Sequence, residues 1–139
     1  MNKNIFVIED DTNIASGLQV QFSLAGFNAE TNQAEEDVED LINSIKKFNA
    51  DIIVLDLILP RFDGFEIIKA IRKDEEISDI YIFVFTDVSD ADSKARGLKL
   101  GANQYFIKDD FSIEEFVRKV KKIIENKEAM NNGENKISA

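Results

Sequence analysis

The sequence predicts a doubly wound α/β domain built on a five-stranded parallel sheet, and two kinds of pattern lead to that prediction. Short apolar runs rich in Ile, Val and Phe, such as Ile52 to Leu55, lack polar alternation and are typical of strands covered on both faces. Stretches with helical spacing of apolar residues lie between these runs. Strand and helix therefore alternate five times, and right-handed crossovers place helices on both faces of one sheet.

The elements can be placed in order along the chain. The apolar runs Ile5 to Ile8 and Ile80 to Phe85 define the first and fourth strands, as Ile52 to Leu55 defines the third. We expect strands near residues 4–9, 28–31, 51–56, 80–86 and 103–107. We expect helices near residues 12–25, 36–47, 64–73, 90–100 and 112–126.

The helices are supported by apolar stripes and by residues that begin or end helices. Gly26 and Gly101 stand where helices should end and can adopt the left-handed conformation there. Ser112 and Glu115 form an S-x-x-E capping box ahead of the last helix. The stripes of the first, second and last helices are Ile14, Leu18, Phe22 and Ala25; Val38, Leu41, Ile42, Ile45 and Phe48; and Ile113, Phe116, Val117, Val120 and Ile123.

Length and apolar content set the domain organisation. The 139 residues are enough for one domain with a substantial core. Residues 127–139 lose the apolar period and are interpreted as a polar tail or a truncated linker, which leaves residues 1–126 as the domain. The chain has no apolar run long enough for a membrane span, so we expect a soluble cytoplasmic protein without membrane partners.

Composition excludes several classes of function. The 17 Lys and Arg against 27 Asp and Glu give a formal net charge of −10, which argues against direct nucleic-acid binding by these residues. The chain has no Cys and no His, so thiol nucleophiles, imidazole bases and Cys/His zinc sites are excluded. Chemistry must depend on carboxylates, hydroxyls, lysines and hard metal ions.

Polar residues follow four of the predicted strands. The carboxyl ends of parallel strands share one sheet edge, so these side chains should meet there. Clustered carboxylates repel unless a cation compensates them, and oxygen ligands favour Mg²⁺. Asp11, beside the first group, is expected only to cap the following helix. The residues at these ends are Glu9 and Asp10 after the first strand, Asp56 after the third, Thr86 after the fourth and Lys108 after the fifth.

Four motifs, in order, resemble those of two-component response regulator receiver domains. The segment IIVLDLILPRFDGFEII is similar to their third-strand motif, an aspartate followed by x-x-x-Pro-x-x-Asp-Gly. FVIEDD resembles their acidic pair, VFT their hydroxyl-bearing fourth strand, and LGANQYFIK their segment ending in lysine. Together the motifs span residues 5–108. The resemblance implies a flavodoxin-like fold with strand order 2-1-3-4-5.

The resemblance also implies a role for each site residue. Asp56 would be the phosphoacceptor, and Thr86 and Lys108 would contact the phosphoryl group. Tyr105 would be the aromatic side chain that changes rotamer with the state of the switch. The expected cofactor is Mg²⁺, with the ligands Glu9, Asp10, Asp56 and the backbone carbonyl of Ile58.

The implied function is a phosphorylation-dependent signalling switch in a phosphorelay. The domain would receive a phosphoryl group from a sensor histidine kinase or phosphotransfer protein, forming an aspartyl phosphate. It would be no enzyme beyond slow autophosphatase activity. The phosphorylated domain would alter a face built from the fourth helix, fifth strand and fifth helix, which would contact a downstream protein.

Two departures from the family pattern keep an alternative open. Asp87 replaces the small residue usual after the switch hydroxyl, and Asp109 replaces the proline usual after the lysine. A degenerate receiver that binds partners without phosphorylation is therefore one alternative. The other is an aspartyl-phosphate phosphohydrolase of the haloacid dehalogenase type, but Asp56-Leu57-Ile58 lacks the second acid of its D-x-D motif.

Overall fold

The computed structural model describes the backbone of residues 2–138 and the side chains of residues 2–132. Within this part of the chain, five strands and five α-helices alternate. The strands are β1 (Asn4–Ile8), β2 (Asn28–Asn32), β3 (Ile52–Leu55), β4 (Tyr81–Thr86) and β5 (Gln104–Ile107). The helices are α1 (Thr12–Leu24), α2 (Val38–Phe48), α3 (Gly64–Lys73), α4 (Ala91–Leu100) and α5 (Ile113–Ser138).

The strands form one parallel sheet in the order β2-β1-β3-β4-β5. In its register Ile5 pairs with Ile52, and Val84 pairs with Tyr105. The predicted doubly wound fold and strand order are confirmed. Because β1 and β3 lie side by side at the centre, their carboxyl ends are adjacent, and β4 adds a third end to the same edge.

Two hydrophobic layers cover the sheet, because successive strand residues point to opposite faces. Phe6 and Ile8 pack with α2 and α3, whereas Ile5 and Val7 pack with α1 and α5. In the second layer the rings of Phe85 and Phe116 stack with their centroids 3.9 Å apart. Burying each such large apolar side chain contributes about 1.5–3 kcal/mol to folding. Strands β1, β3 and β4 are thus apolar on both faces, as their sequences predict, whereas the edge strand β2 is polar.

Helix starts and ends follow the expected signals. Gly26 and Gly101 have positive φ values of 98° and 123° where α1 and α4 end. The capping box is formed in both directions: the Glu115 N–H donates to Ser112 Oγ at 3.1 Å, and the Ser112 N–H donates to Glu115 Oε1 at 3.0 Å. The Asp11 carboxylate accepts from two backbone N–H groups in the first turn of α1, which confirms its capping role.

Helix α5 is longer than expected, since it was predicted to end near residue 126 and continues to Ser138. Its apolar pattern stops after the buried Ile124, which is why the sequence pattern ends early. Two contacts hold the extension: Glu128 pairs with Lys3 at 3.6 Å, and the ammonium of Lys127 lies 5.0 Å from the ring centre of Tyr81. The division into a domain of residues 1–126 and a tail of residues 127–139 stays a prediction.

The hydropathy of the helices shows whether any of them could span a membrane. Among the described residues, no helix combines the length and the apolar character needed to cross a bilayer. The long helix α5 is polar over most of its surface, with Glu114 and Glu115 in its first turn. The buried residues of its described part, Phe116, Val117, Val120 and Ile124, form one apolar stripe that packs in the second layer.

Candidate functional site

The predicted site residues meet at the carboxyl-terminal edge of the sheet. Glu9 and Asp10 follow β1, Asp56 follows β3, and Thr86 ends β4. Lys108 begins the short 3-10 turn Lys108–Asp110 that leads from β5 towards α5. The order of the strands places β1, β3, β4 and β5 side by side, so chain segments a hundred residues apart contribute to one site.

Asp56 lies at the centre of this group and is 6% exposed. Its Oδ1 accepts hydrogen bonds from the Thr86 hydroxyl at 2.8 Å and from the Ile58 backbone N–H at 3.2 Å. Its Oδ2 accepts from the ammonium of Lys108 at 2.8 Å. A buried carboxylate is costly unless such partners satisfy it, and each oxygen of Asp56 has at least one.

Lys108 also binds the second buried acid of the site. Its Nζ lies 2.6 Å from Oε1 of Glu9, and Oε2 of Glu9 accepts from the Asp11 backbone N–H at 3.1 Å. Burial raises the pKa of Glu9 to about 7, although the hydrogen bond from Lys108 acts in the opposite direction. Burial alone would lower the pKa of Lys108, but its contacts with Asp56 and Glu9 raise it above the ordinary lysine value. Lys108 is therefore a charged counterion to both acids.

Three carboxylates of the site could hold a metal ion together. Glu9, Asp10 and Asp56 each offer one oxygen atom, and these atoms lie within 4.8 Å of one another. Glu9 and Asp56 are buried, whereas Asp10 is exposed. Such an oxygen-only set suits Mg²⁺, which is usually bound by one or two carboxylates and keeps several waters. Ile58 lies in the adjacent loop, and its carbonyl as a further ligand stays a prediction.

Thr86 connects Asp56 to Tyr105 through the backbone of Val88. Thr86 is fully buried, and its Oγ1 accepts a hydrogen bond of 3.3 Å from the Val88 N–H. The Tyr105 hydroxyl donates to the Val88 carbonyl at 2.7 Å, and Tyr105 is 8% exposed. Sequence reasoning missed Val88, because a backbone partner leaves no signal in residue type. The Tyr105 ring is buried in this structure, and its change of rotamer with the state of the switch stays a prediction.

The two departures from the motif pattern lie at the solvent-facing rim of the site. Asp87 and Asp109 are both exposed. Asp109 is part of the 3-10 turn, and the preceding Lys108 nevertheless reaches both Asp56 and Glu9. Proline at position 109 is therefore not needed for the lysine to reach the acids.

Comparison with known proteins gives consistent matches. A sequence model of the response regulator receiver domain matches residues 5–121. The response regulator ArlR of Staphylococcus aureus (strain Mu50) is 32% identical over 120 residues, which are 86% of this chain and 52% of ArlR. The chain spans about half the length of the curated relatives it matches.

Solved structures agree with these sequence matches. The response regulator DrrB, described as an OmpR/PhoB homologue of Thermotoga maritima, is 28% identical with a TM-score of 0.75, covering 91% of this chain and 54% of DrrB. The chemotaxis protein CheY4 of Vibrio cholerae has a TM-score of 0.77 at 22% identity, covering 88% of this chain and 98% of that one, and shows the shared fold.

Proposed function

The chain belongs to the response regulator receiver domain family, the signalling domains of two-component systems, and within that family we propose that it is a phosphorylation switch with Asp56 as phosphoacceptor. The observation that carries the proposal is the environment of Asp56. Its carboxylate is buried at the sheet edge between the hydroxyl of Thr86 and the ammonium of Lys108. Both groups can donate to oxygens of an incoming phosphoryl group.

The chemistry follows from these groups. An oxygen of Asp56 attacks the phosphorus of a phosphohistidine on a sensor kinase or phosphotransfer protein, so an O–P bond forms as the P–N bond breaks. The leaving imidazole keeps the electron pair of that bond. Lys108 and Thr86 are fixed donors near the acceptor and stabilise the phosphoryl oxygens, because phosphoryl transfer depends mainly on positioning and electrostatics.

Magnesium is the cofactor that this proposal requires. Glu9, Asp10 and Asp56 would hold it with the Ile58 carbonyl, and the bound ion would supply positive charge beside the transferred group. The protein itself contributes one ammonium against three carboxylates at this edge. Two like charges about 4 Å apart repel by about 4 kcal/mol at an effective dielectric constant near 20, so a further cation is favourable here.

The output proposed for the switch is a change on the face formed by α4, β5 and α5. The Thr86–Val88–Tyr105 hydrogen bonds lead from Asp56 towards this face. Among the relatives, one is named a DNA-binding transcriptional regulator, and the chain covers 48% of it. We propose a protein partner for the face, without direct nucleic-acid contact by these acidic residues. Cytoplasmic location and slow autophosphatase activity are part of the same proposal.

The test is labelling with a small phosphodonor. Acetyl phosphate with Mg²⁺ should add one hydroxylamine-labile phosphoryl group, detected by intact-mass spectrometry. Asp56→Asn should abolish the label, whereas Asp51→Asn, at the opposite end of β3, should retain it. Undiminished label in Asp56→Asn would reject Asp56 as the acceptor.

The same experiment separates the switch from the degenerate receiver. A protein that binds Mg²⁺ but takes up no phosphoryl group would support the degenerate alternative, and Asp87→Ser would then test whether the added carboxylate is the cause. The phosphohydrolase alternative is not proposed, because the chain belongs to the receiver family and position 58 holds an exposed isoleucine instead of a second acid.

A further inference from the structure

Helix α4 contacts the rest of the domain in an unusual way. In this fully described helix the buried residue is Gly97, a residue without a side chain. Helix α3, by contrast, buries several large apolar side chains, among them Ile67, Ile68 and Ile71. Helix α4 therefore meets the domain through its backbone at position 97 and through the partly buried side chain of Leu100.

The surface under Gly97 is the ring of Tyr105. A Cβ atom at position 97 would lie 3.3 Å from both Cδ2 and Cε2 of that ring, and 3.8 Å from Cε1 of Phe65. Optimal carbon–carbon contacts are about 3.5–4.0 Å, so an alanine here would require the ring or the helix to shift by a few tenths of an ångström. Because Gly97 has no side chain, the Tyr105 ring can lie this close to α4.

No backbone requirement accounts for this glycine. Among the described residues, the glycines with positive φ are Gly26 and Gly101, so position 97 has a conformation that any residue can adopt. Glycine inside a helix is less favourable than alanine, because it loses more backbone entropy on folding. The close approach of the Tyr105 ring is the feature of the structure that favours glycine here.

We propose that Gly97 is the positioning residue of Tyr105 and transmits the position of its ring to α4. The inference rests on the proposed function, because it concerns how the state of Asp56 reaches the output face. Hydrogen bonds link Asp56 to Thr86, Thr86 to Val88, and Val88 to the Tyr105 hydroxyl. The other side of the same ring system contacts the backbone of α4. A displaced ring therefore pushes on α4 at Gly97, the buried position of this helix, while Leu100 and Arg96 provide its other contacts.

A neighbouring contact limits how α4 can respond. The guanidinium of Arg96 lies 4.2 Å from the ring centre of Phe65 on α3. This cation–π contact attaches α4 to α3 beside Gly97. Movement of the Tyr105 ring should therefore shift α4 relative to β5 more than relative to α3.

Gly97→Ala tests the proposal through the environment of Tyr105. The chain contains two tyrosines, so Tyr81 serves as an internal reference in NMR of protein with ¹³C-labelled tyrosine. We expect the Tyr105 ring signals to move in Gly97→Ala while those of Tyr81 do not. Burial raises the pKa of the Tyr105 phenol, and this pKa should shift towards the ordinary tyrosine value in the variant.

Gly17→Ala is the matched control, because Gly17 is also helical and an added Cβ would meet the flexible end of Ile113, at 2.9 Å. It should leave Tyr105 unchanged. Tyr105 signals and phenol titration that are the same in wild type and Gly97→Ala would overturn the proposal. Labelling of Asp56 is measured in the same samples. A wild-type protein that takes up no label would reject the proposed function, whereas the Gly97 result would still be interpretable.

A double variant keeps the test valid if Gly97→Ala folds poorly. In a Tyr105→Ala background the ring is gone, so Gly97→Ala should raise the melting temperature as in an ordinary helix. With Tyr105 present the same change should lower the melting temperature or abolish folding. Equal shifts in the two backgrounds, or a double variant that fails to fold although Tyr105→Ala folds, would overturn the proposal.

Discussion

The ammonium of Lys108 lies 2.6 Å from Oε1 of Glu9, and only a tenth of the lysine side chain is exposed. The same nitrogen reaches Asp56 at 2.8 Å, so one buried cation bridges the first and third strands of the sheet. An intact buried ion pair contributes little to the free energy of unfolding, because burial removes both charges from water. Losing one partner is costly, because the other charge then stays buried without a counterion. The carboxyl-terminal edge of the sheet therefore depends on Lys108 for its stability as well as for its chemistry.

Lys108→Met should destabilise the protein at neutral pH by about 3–5 kcal/mol, because the buried Asp56 carboxylate, together with the ionised fraction of Glu9, loses its counterion. Urea unfolding followed by circular dichroism measures the change. Lys46→Met is the control, since Lys46 pairs with Asp74 at 2.8 Å in a more exposed position and should cost about 1 kcal/mol or less. Equal losses in the two variants would contradict the assigned role of Lys108.

Glu9→Gln should change how stability depends on pH. Burial raises the pKa of Glu9 from 4.5 to about 7, so between these values the folded protein holds a proton that the unfolded chain has released. The contribution of Glu9 is full below pH 4.5 and is lost as the pH rises through 7. Stability in EDTA should therefore fall less steeply with pH in Glu9→Gln than in wild type over this window. A steeper fall in the variant would show that Lys108 keeps the pKa of Glu9 low.

The sheet and the placement of the site could be predicted because both follow from patterns that can be read in the sequence. Apolar runs predict buried strands, and parallel strands joined by crossovers must end at one edge, so Asp56, Thr86 and Lys108 had to meet there. The capping box at Ser112 and Glu115 was visible for the same reason, since its partners are three residues apart. Apolar runs and capping boxes are determined by residues close together in the sequence, and the meeting of the strand ends then follows from the parallel topology.

Other features could not be predicted, because they depend on contacts between distant segments. The extension of α5 carries no apolar stripe and is held by Lys3 and Tyr81, far away in sequence. Val88 takes part through its backbone alone. A glycine inside a helix is a recognisable signal of close packing, so Gly97 could have been singled out, but its contact with Tyr105 could not be predicted from the sequence.

Mg²⁺ with beryllofluoride should raise the melting temperature, because together they bind the acidic cluster of the folded state. A ligand at about a hundredfold its Kd adds about 2.7 kcal/mol to stability, which differential scanning fluorimetry detects easily. Asp10→Ala should lose most of the shift. Asp11→Ala should keep it despite a lower starting temperature, since Asp11 caps α1 and is no metal ligand in this proposal. No shift in the wild type would reject the metal site.

Arg72→Lys should destabilise the domain by about 2–3 kcal/mol without affecting Asp56 labelling. The guanidinium donates five hydrogen bonds, to the carbonyls of Ser78, Ile80 and Gly101 and to the Asn103 side chain. A lysine has three donors and cannot satisfy this set. Chemical denaturation measures the loss, with Arg118→Lys on the exposed face of α5 as control. A change no larger than that of the control would contradict the structural role.

Thr86→Val should leave Asp56 able to accept a phosphoryl group while uncoupling Tyr105 from the site. The hydroxyl donates to Asp56 and accepts from Val88, and Val88 in turn accepts from Tyr105, so valine keeps the shape but removes the link. In wild type, beryllofluoride should shift the Tyr105 ring signals in NMR, because a two-state element responds to the new charge. The shift should be reduced in Thr86→Val and retained in Thr86→Ser, which keeps the hydroxyl. Tyr105 signals that are identical with and without bound beryllofluoride in the wild-type protein would show that this receiver transmits its state by another route.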